Sequence, residues 1–477
     1  MENAKLRFLD EGNPTSTRIK NTEAKRVRLY LSVSILNMVF LICGTAFSWS
    51  SPVLIKLELA SHEGSTVASM ISLGMAFGPI ISGALLNILG RKGTVGLSMG
   101  IMTASYLLLT VTRDVTFLSV ARFLAGTTCG IAFSALPVYT AELAEDSVRG
   151  VLNTLSQIFI SFGCLLMFSI GPFVSYAILH YVMLGLCATF FLLFPLLPES
   201  PYFLVMKNKA NRARKTLAWL RQSRSPDLVA EELQSLQKSV QESQGESGSI
   251  GELFTCRANR RALATCCGLL ILQQFSGITA IYFYMEQIFQ MSGTDLPSSI
   301  CSIAVGVIMT VASICCPIAV KHCGYKRPLI VSAFGAALGT GCLSMFFWLK
   351  NNNVDVSSLN WLPLVSVVEY ILFFNSGFSI IPWALSGEYF PANVKSYATT
   401  IIASTCGLVS FVVGKFFPLL IDILGLEVLF AACSCFCFFT VLLVAFGVQE
   451  TSGLSFQEIQ GILHGRKREV RAPQHKL

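Results

Sequence analysis

The stretch LPVYTAELAEDSVRG, residues 136–150, sets Glu142, Glu145, Asp146 and Arg149 directly behind an apolar run in a chain where charge is otherwise scarce. Of the 477 residues, 53% are hydrophobic and 13% charged, and the mean hydropathy is +0.63. That composition excludes a soluble chain of this size and points to an integral membrane protein. An ionised side chain at mid-bilayer costs several kcal/mol. The charges at 142–149 therefore mark a place where a helix leaves the hydrocarbon.

About 20 apolar residues cross a bilayer as a helix. Runs of that kind lie near 29–49, 65–87, 94–112, 117–140, 150–171, 180–197, 262–290, 299–320, 328–349, 362–387, 397–422 and 428–448. The first follows a polar, basic segment and lacks a small-residue cleavage site, so it reads as a retained helix and not a signal peptide. With both termini cytoplasmic, 30 of the 35 Lys and Arg residues fall on the inner side and three (Lys56, Arg113, Lys350) outside, while Arg122 and Lys415 lie within helices. The net charge of +8 thus reflects topology and attraction to anionic lipid, with no case for nucleic acid. The sixteen cysteines lie almost all in the apolar runs and read as small packing residues. None of the five histidines has a ligand partner at helical spacing.

The longest polar stretch, 199–261, divides six apolar runs from six and contains helix-compatible segments such as NRARKTLAWLRQ. The expected domains are a cytoplasmic tail at 1–28, a six-helix half at 29–198, a cytoplasmic helical linker at 199–261, a second half at 262–448 and a tail at 449–477. An internal repeat supports this division. Glu142 and Arg149 have the same separation as Glu388 and Lys395 in GEYFPANVKS, 246 residues on. LNILGRKG (86–93), with Arg91, is echoed by KHCGYKRP (321–328), and PESP (198–201), with Glu199, by QETSG (449–453), with Glu450. Two parallel-related six-helix halves are the architecture of major facilitator transporters, whose site lies between the halves near the midplane. The fold expected is an all-α membrane protein with twelve transmembrane helices. Acids and bases gathered at the inner helix ends read as an inner gate, formed by Arg91, Glu142, Arg149, Glu199, Glu388, Lys395 and Glu450.

At these motifs the sequence resembles the sugar porter family of the major facilitator superfamily over essentially its whole length. PVYTAELAEDSVRG, PESP, QQFSGI (273–278), IPW (381–383), EYFPANVK and QETSG match the family's motifs in order, and SWSSPVLIKL in helix 1 is most similar to the insect facilitated trehalose transporters. A sugar site needs side chains that donate and accept hydrogen bonds without a charge to desolvate, with aromatic faces against the apolar face of the ring. Gln157, Gln273 and Gln274 supply such amides and Trp383 such a face. The resemblance implies that these four contact the sugar and that Phe283 and Tyr284 close the outer side. Pro382 removes a helix hydrogen bond and makes helix 10 a bending element, while Gly277 in helix 7 reads equally as a second bending point or as a packing residue.

The sequence also departs from the family. Thr279, Met309 and Asn375 stand where Asn, Asn and Glu are common, and Cys406 with Gly407 where many members have Asn and Trp, a change expected to enlarge the cavity. Thr279 and Asn375 are retained as substrate-contact candidates. Asn87, Ile88, Lys321, Tyr202 and Gln449 erode the gate motifs, leaving fewer acid–base pairs. Proton-coupled members carry an Asp in helix 1; Ser50 is nearest to it here and does not titrate in the physiological range. The function implied is facilitative uniport of trehalose or a hexose by a monomer in the plasma membrane, without cofactor and surrounded by lipid. A proton-coupled symporter and a non-transporting sugar receptor are the alternatives. No metal-ligand cluster, phosphate loop or nucleophile elbow supports an enzyme.

Overall fold

The computed structural model describes residues 26–222, 226–245 and 249–450, so the two terminal tails fall almost wholly outside the described residues. The described chain is helical without a strand. In order the helices are α1 (Val27–Ser48), α2 (Ser50–Leu57), α3 (Ser61–Ile88), α4 (Gly90–Val111), α5 (Val115–Leu143), α6 (Asp146–Ile170) and α7 (Tyr176–Leu193). The short helices α8 (Pro201–Met206), α9 (Ala210–Arg221), α10 (Pro226–Gly245) and α11 (Glu252–Thr255) follow. The second set is α12 (Arg257–Gln273), α13 (Thr279–Ser292), α14 (Ser298–Cys323), α15 (Lys326–Asn351), α16 (Leu362–Phe373), α17 (Ile381–Glu388) and α18 (Ala392–Gly447).

Ten helical spans among the described residues are long and apolar enough to cross a membrane. Two further features are consistent with the expected twelve. Leu155–Ile170 in α6 is a shorter apolar stretch, and the run Asn393–Gly447 is 55 residues long and breaks at Gly425 (φ 80°, ψ 160°). Some boundaries differ from those read in the sequence. The seventh crossing begins at Arg257 and not at 262, since the basic turn with Arg260 and Arg261 continues the helix. The gap expected at 423–427 shrinks to the single break at Gly425.

Local chemistry sets several helix starts. Asp114 caps α5, accepting from the amides of Thr116 (2.9 Å) and Phe117 (3.3 Å). Ser175 and Ser200 cap α7 and α8 in the same way.

Packing depends on close backbone approach, because lipid tails remove the hydrophobic drive for one apolar helix to join another. Gly74 and Gly78 of α3 face Gly126 and Gly130 of α5. A Cβ added at Gly126 would lie 1.9 Å from the Ile71 carbonyl oxygen, and one at Gly74 2.0 Å from that of Phe123. Gly44 of α1 and Gly163 of α6 meet similarly, at 2.1 Å from the oxygen of Ile160 and 2.0 Å from that of Leu41. The two helix sets join where α3 packs on α18 and α6 on α14. Gly407 belongs to the first of these seams: its Cβ would stand 2.6 Å from the Ala76 amide nitrogen. The expectation that Gly407 widens a cavity is corrected accordingly, for the missing side chain lets two helices touch.

The short helices dock under one end of the bundle, here termed the linker end; the opposite end is the far end. Arg221 of α9 reaches Glu232 of α10 (2.6 Å) and the Leu143 carbonyl at the end of α5 (2.9 Å). Arg28 covers the Trp219 ring at 5.3 Å.

Candidate functional site

Two interrupted helices organise the middle of the second set. Between α12 and α13 the chain widens to a π-turn over Gln274–Ile278, with Gly277 at φ 102°, a conformation that favours glycine. A matching π-turn at Phe374–Phe378 separates α16 from α17, and Pro382 falls in the first turn of α17, where its missing N–H is tolerated. π-turns leave the regular ladder incomplete, and side chains make up the bonds. Gln273 Nε2 donates to the carbonyls of Phe378 (2.6 Å) and Ser379 (3.3 Å), tying one interruption to the other.

From Gln273 a continuous polar path runs across the molecule. Gln274 Nε2 donates to Gln273 Oε1 (3.4 Å) and Cys406 Sγ (3.2 Å), while Gln274 Oε1 accepts from Thr279 Oγ1 at 2.8 Å. Thr279 meets Ser410 of α18 at 3.0 Å, and Ser410 meets Ser72 of α3 at 2.9 Å. A second crossing between the helix sets joins Gln157 Nε2 to Asn375 Oδ1 at 3.3 Å. Trp383 packs on Phe133 of α5 with ring centroids 5.7 Å apart, and Phe133 in turn meets Phe40 and Phe47 of α1. The six candidate substrate residues thus fall in one neighbourhood. Gln273, Gln274, Thr279 and Asn375 are buried, whereas Gln157 and Trp383 are half-buried. Ser72, Ser410 and Phe133 were missed in the sequence, where small hydroxyls and a phenylalanine in apolar runs carry no distinguishing signal.

At the far end, Phe283 and Tyr284 are buried against α18. Tyr284 donates to the Gly414 carbonyl (2.8 Å) and stacks on Phe417, and a Cβ at Gly414 would lie 2.8 Å from the Phe283 ring. A further aromatic contact between the helix sets comes from their neighbour Tyr282, whose ring lies 6.4 Å from that of Phe47. Lys415 of α18 reaches the His62 carbonyl (3.3 Å) and Thr66 Oγ1 of α3.

The charged residues at the linker end form two related constructions. In the first set Arg91 makes a bidentate pair with Glu142, at 2.7 and 2.6 Å. Glu199 accepts from the amides of Arg91 (3.0 Å) and Lys92 (3.2 Å) at the start of α4. In the second set Glu450 accepts from the amides of Tyr325 (3.0 Å) and Lys326 (2.9 Å). Each carboxylate sits over a glycine in the left-handed region, Gly90 (φ 81°) and Gly324 (φ 74°), and a Cβ at either would come within 2.7 Å of it. Successive amides turned outward in this way cradle an anion. Tyr139 and Tyr389 repeat the symmetry, donating to the carbonyls of Pro198 and Gln449.

The two constructions differ at one position. Where the first has Arg91, the second has Tyr325, whose hydroxyl donates to Glu388 Oε1 at 2.6 Å. Burial, and then the Glu388 carboxylate, push the Tyr325 phenol well above its ordinary range, so the donor persists at physiological pH. Tyr325→Phe is expected to remove about 1.5–3 kcal/mol of support from this end, the usual worth of a hydrogen bond to a charged group. The check is the melting temperature of the purified protein, and an unchanged value would show that the bond contributes nothing.

Charged neighbours in sequence do not simply pair with each other. Glu142 takes Arg91, and Glu145 takes Arg26 (2.5 Å) with Arg221 nearby at 3.9 Å. The Arg149 side chain lies outside what is described. Lys395 is exposed and interacts electrostatically with Glu388. Tyr202, one of the residues that erode the gate motifs, places its ring 5.5 Å from the Arg91 guanidinium and supports it with an aromatic face.

Interrupted helices, a polar path between two helix sets and mirrored linker-end latches are features of the major facilitator fold. The sequence profile of the sugar (and other) transporter family matches residues 18–463, and the chain belongs to that family. It is 32% identical over 466 residues to the facilitated trehalose transporter Tret1 of Culex quinquefasciatus, covering 96% of this chain and 89% of the relative. To Tret1 of Anopheles gambiae it is 33% identical over 449 residues, covering 92% of this chain and 56% of the relative. The chain spans about half the length of several such curated relatives. The fold is similar to that of the proton:xylose symporter XylE bound to 6-bromo-6-deoxy-D-glucose, with a TM-score of 0.76 at 20% identity over 91% of this chain and 99% of the other.

Proposed function

We propose that the protein is a facilitative sugar carrier, a uniporter for trehalose or a hexose that works by alternating access between halves at 29–198 and 262–448. The observation that carries this reading is the set of amides and hydroxyls running from Gln157 and Asn375 through Gln273, Gln274 and Thr279 to Ser410 and Ser72. Uncharged groups that can donate and accept suit sugar hydroxyls, and Trp383 beside Phe133 offers an aromatic face. These bonds are made within the protein, and a sugar would exchange them for its own. Both helix sets contribute to the path, so the bound sugar would bridge them. The related Tret1 proteins, named facilitated trehalose transporters, support the substrate class.

In this reading the linker end is cytoplasmic, the protein acts as a monomer in the plasma membrane, and the Arg91, Glu142, Arg149, Glu199, Glu388, Lys395 and Glu450 cluster is the inner gate. Phe283 and Tyr284 support the outer gate from the second half. Passive transport is favoured in this reading by Ser50, which does not titrate in the physiological range and stands nearest to the helix 1 Asp of proton-coupled members.

Uptake of labelled trehalose and glucose into cells expressing the protein tests this. Saturable uptake of one sugar, levelling at the external concentration with or without a pH gradient, is expected. Gln274→Ala is expected to lower uptake about fivefold or more, since losing one buried hydrogen-bonding group costs about 1–3 kcal/mol and 1.4 kcal/mol is a factor of ten. Accumulation driven by a pH gradient would instead identify a symporter, and surface-expressed protein moving neither sugar would defeat the reading.

A further inference from the structure

Glu286 belongs to none of the groups above. It sits in α13, two residues past a break in the helix at Tyr284 (φ −127°, ψ 17°), and is only 5% exposed. Its amide donates to Ser51 Oγ of α2 at 3.1 Å, a bond between the two helix sets at the far end. Its carboxyl interacts electrostatically with Lys56 of α2, and Oε1 is buried without a hydrogen-bond partner. Lys56 Nζ is itself held by the carbonyls of Gly171 (2.5 Å) and Val174.

Other charged groups near α13 are engaged with partners of their own or distant: Lys350 of α15 donates to the Met291 and Ser292 carbonyls at the end of α13 (2.9 Å each), and Glu427 of α18 accepts from Asn351 at 2.8 Å. Lys415 of α18 is bound to His62 and Thr66 of α3, and Asp422 lies two turns beyond it. Glu369 of α16 interacts with Cys342 of α15. Arg28 of α1, and Lys321 and His322 of α14, belong to the linker end of their helices, while α12 carries its basic residues in its first two turns. Lys56 is the cation facing Glu286.

An acid within a membrane helix is costly and points to a functional role. We propose that Glu286 is a proton-binding site at the α2–α13 contact, through which protons on the far side bias the two helix sets toward closing. Separating α2 from α13 would break the bond between Ser51 and the Glu286 amide and admit water to the carboxyl. Closing strips that water away, a step that costs an anion far more than a neutral acid. Lys56 offsets part of this cost. Whichever state binds the proton more tightly gains population as pH falls, and here that state is the closed one. The proposal rests on the alternating-access reading for its open state but not on which sugar is carried. Proton binding here sets how readily the far end closes; it does not by itself drive sugar uphill.

The test is amide hydrogen exchange on the purified full chain in lipid nanodiscs, corrected for the intrinsic pH dependence of exchange. The peptide containing the Glu286 amide reports the closed contact directly. Its protection is expected to rise as pH falls from about 8 to about 5.5, by up to tenfold for each unit by which the two states differ in proton affinity. Glu286→Gln is expected to show high protection without pH dependence. Lys56→Met should begin its rise at higher pH, because the cation favouring the carboxylate is gone. A flat wild-type profile, or a Glu286→Gln profile with the wild-type slope, would overturn the proposal. If Glu286→Gln does not fold, an unshifted Lys56→Met profile would overturn it equally. Sugar uptake is scored separately: its absence beside an intact pH-dependent protection would defeat the sugar reading and leave the proton site standing.

Discussion

Gly126→Leu is expected to leave little or no folded protein in the membrane. At this position α5 meets α3 so closely that even a single Cβ would lie 1.9 Å from the Ile71 carbonyl oxygen and 2.9 Å from its Cα. No rotamer relieves a clash between a Cβ and a backbone, so the helices must separate. Separation would also undo the contacts at Gly74, Gly78 and Gly130 along the same seam. Overpacking costs about 1–3 kcal/mol in ordinary cores, where side chains can give way, and here the obstacle is main chain. α3 is also the helix that packs on α18 across the two sets, through Gly407 on Ala76 and the Ser404 hydroxyl on the Ala76 carbonyl at 2.7 Å. Damage at Gly126 should therefore spread to the interface between the sets. Gly100→Leu is the control, since nothing stands within 4 Å of a Cβ there. Size-exclusion chromatography of tagged protein after mild detergent extraction reads the outcome. A monodisperse Gly126→Leu peak at the level of Gly100→Leu would show that the seam can open without loss of the fold.

Hydropathy exposed most of the crossings because it sums over about 20 residues and tolerates local exceptions. The gate residues were legible for a different reason: the same acid-and-base pattern occurs twice at one spacing. What the pattern could not reveal was their partners. Glu142 bonds to Arg91, 51 residues upstream, and the counterpart of that arginine in the second set is a tyrosine. Spacing along a chain reports the face of a helix, while pairing between helices depends on how they pack. Gly407 shows the same limit, since a glycine in an apolar run looks the same whether it lines a cavity or a helix contact. Glu286 was open to reading as an acid inside an apolar run, but nothing in the sequence indicates the Lys56 that faces it. The bond from Trp49 to His180 likewise joins residues 131 apart in the chain, a pairing no local spacing reveals.

Trp49→Ala should be among the most destabilising single changes in the first helix set. Trp49 lies fully buried between α1 and α2 and serves two polar residues at once. Its indole N–H donates to His180 Nε2 at 2.9 Å, while His180 Nδ1 is 2.7 Å from the Tyr176 carbonyl and donates to it. This arrangement fixes a neutral imidazole with one N–H, because both ring nitrogens have assigned roles. A face of the indole covers the Arg122 guanidinium at 4.8 Å. Arg122 is 1% exposed, donates from Nη1 to the Ala46 carbonyl at 2.6 Å, and leaves Nε and Nη2 without hydrogen-bond partners. A cation in that position depends on the aromatic surface beside it, an interaction worth about 2 kcal/mol or more when desolvated. Removing a buried Trp side chain costs about 3–5 kcal/mol from packing alone, and the stranded guanidinium and imidazole add to that. Trp49→Phe separates the contributions: it keeps a ring over Arg122 but leaves His180 Nε2 unpaired, which should cost about 1–3 kcal/mol. The expected order of melting temperatures is wild type, Trp49→Phe and then Trp49→Ala, with the last far below the others. Equal losses for the two variants would place the weight on the His180 bond, and a Trp49→Ala protein melting near wild type would mean that Arg122 finds compensation elsewhere.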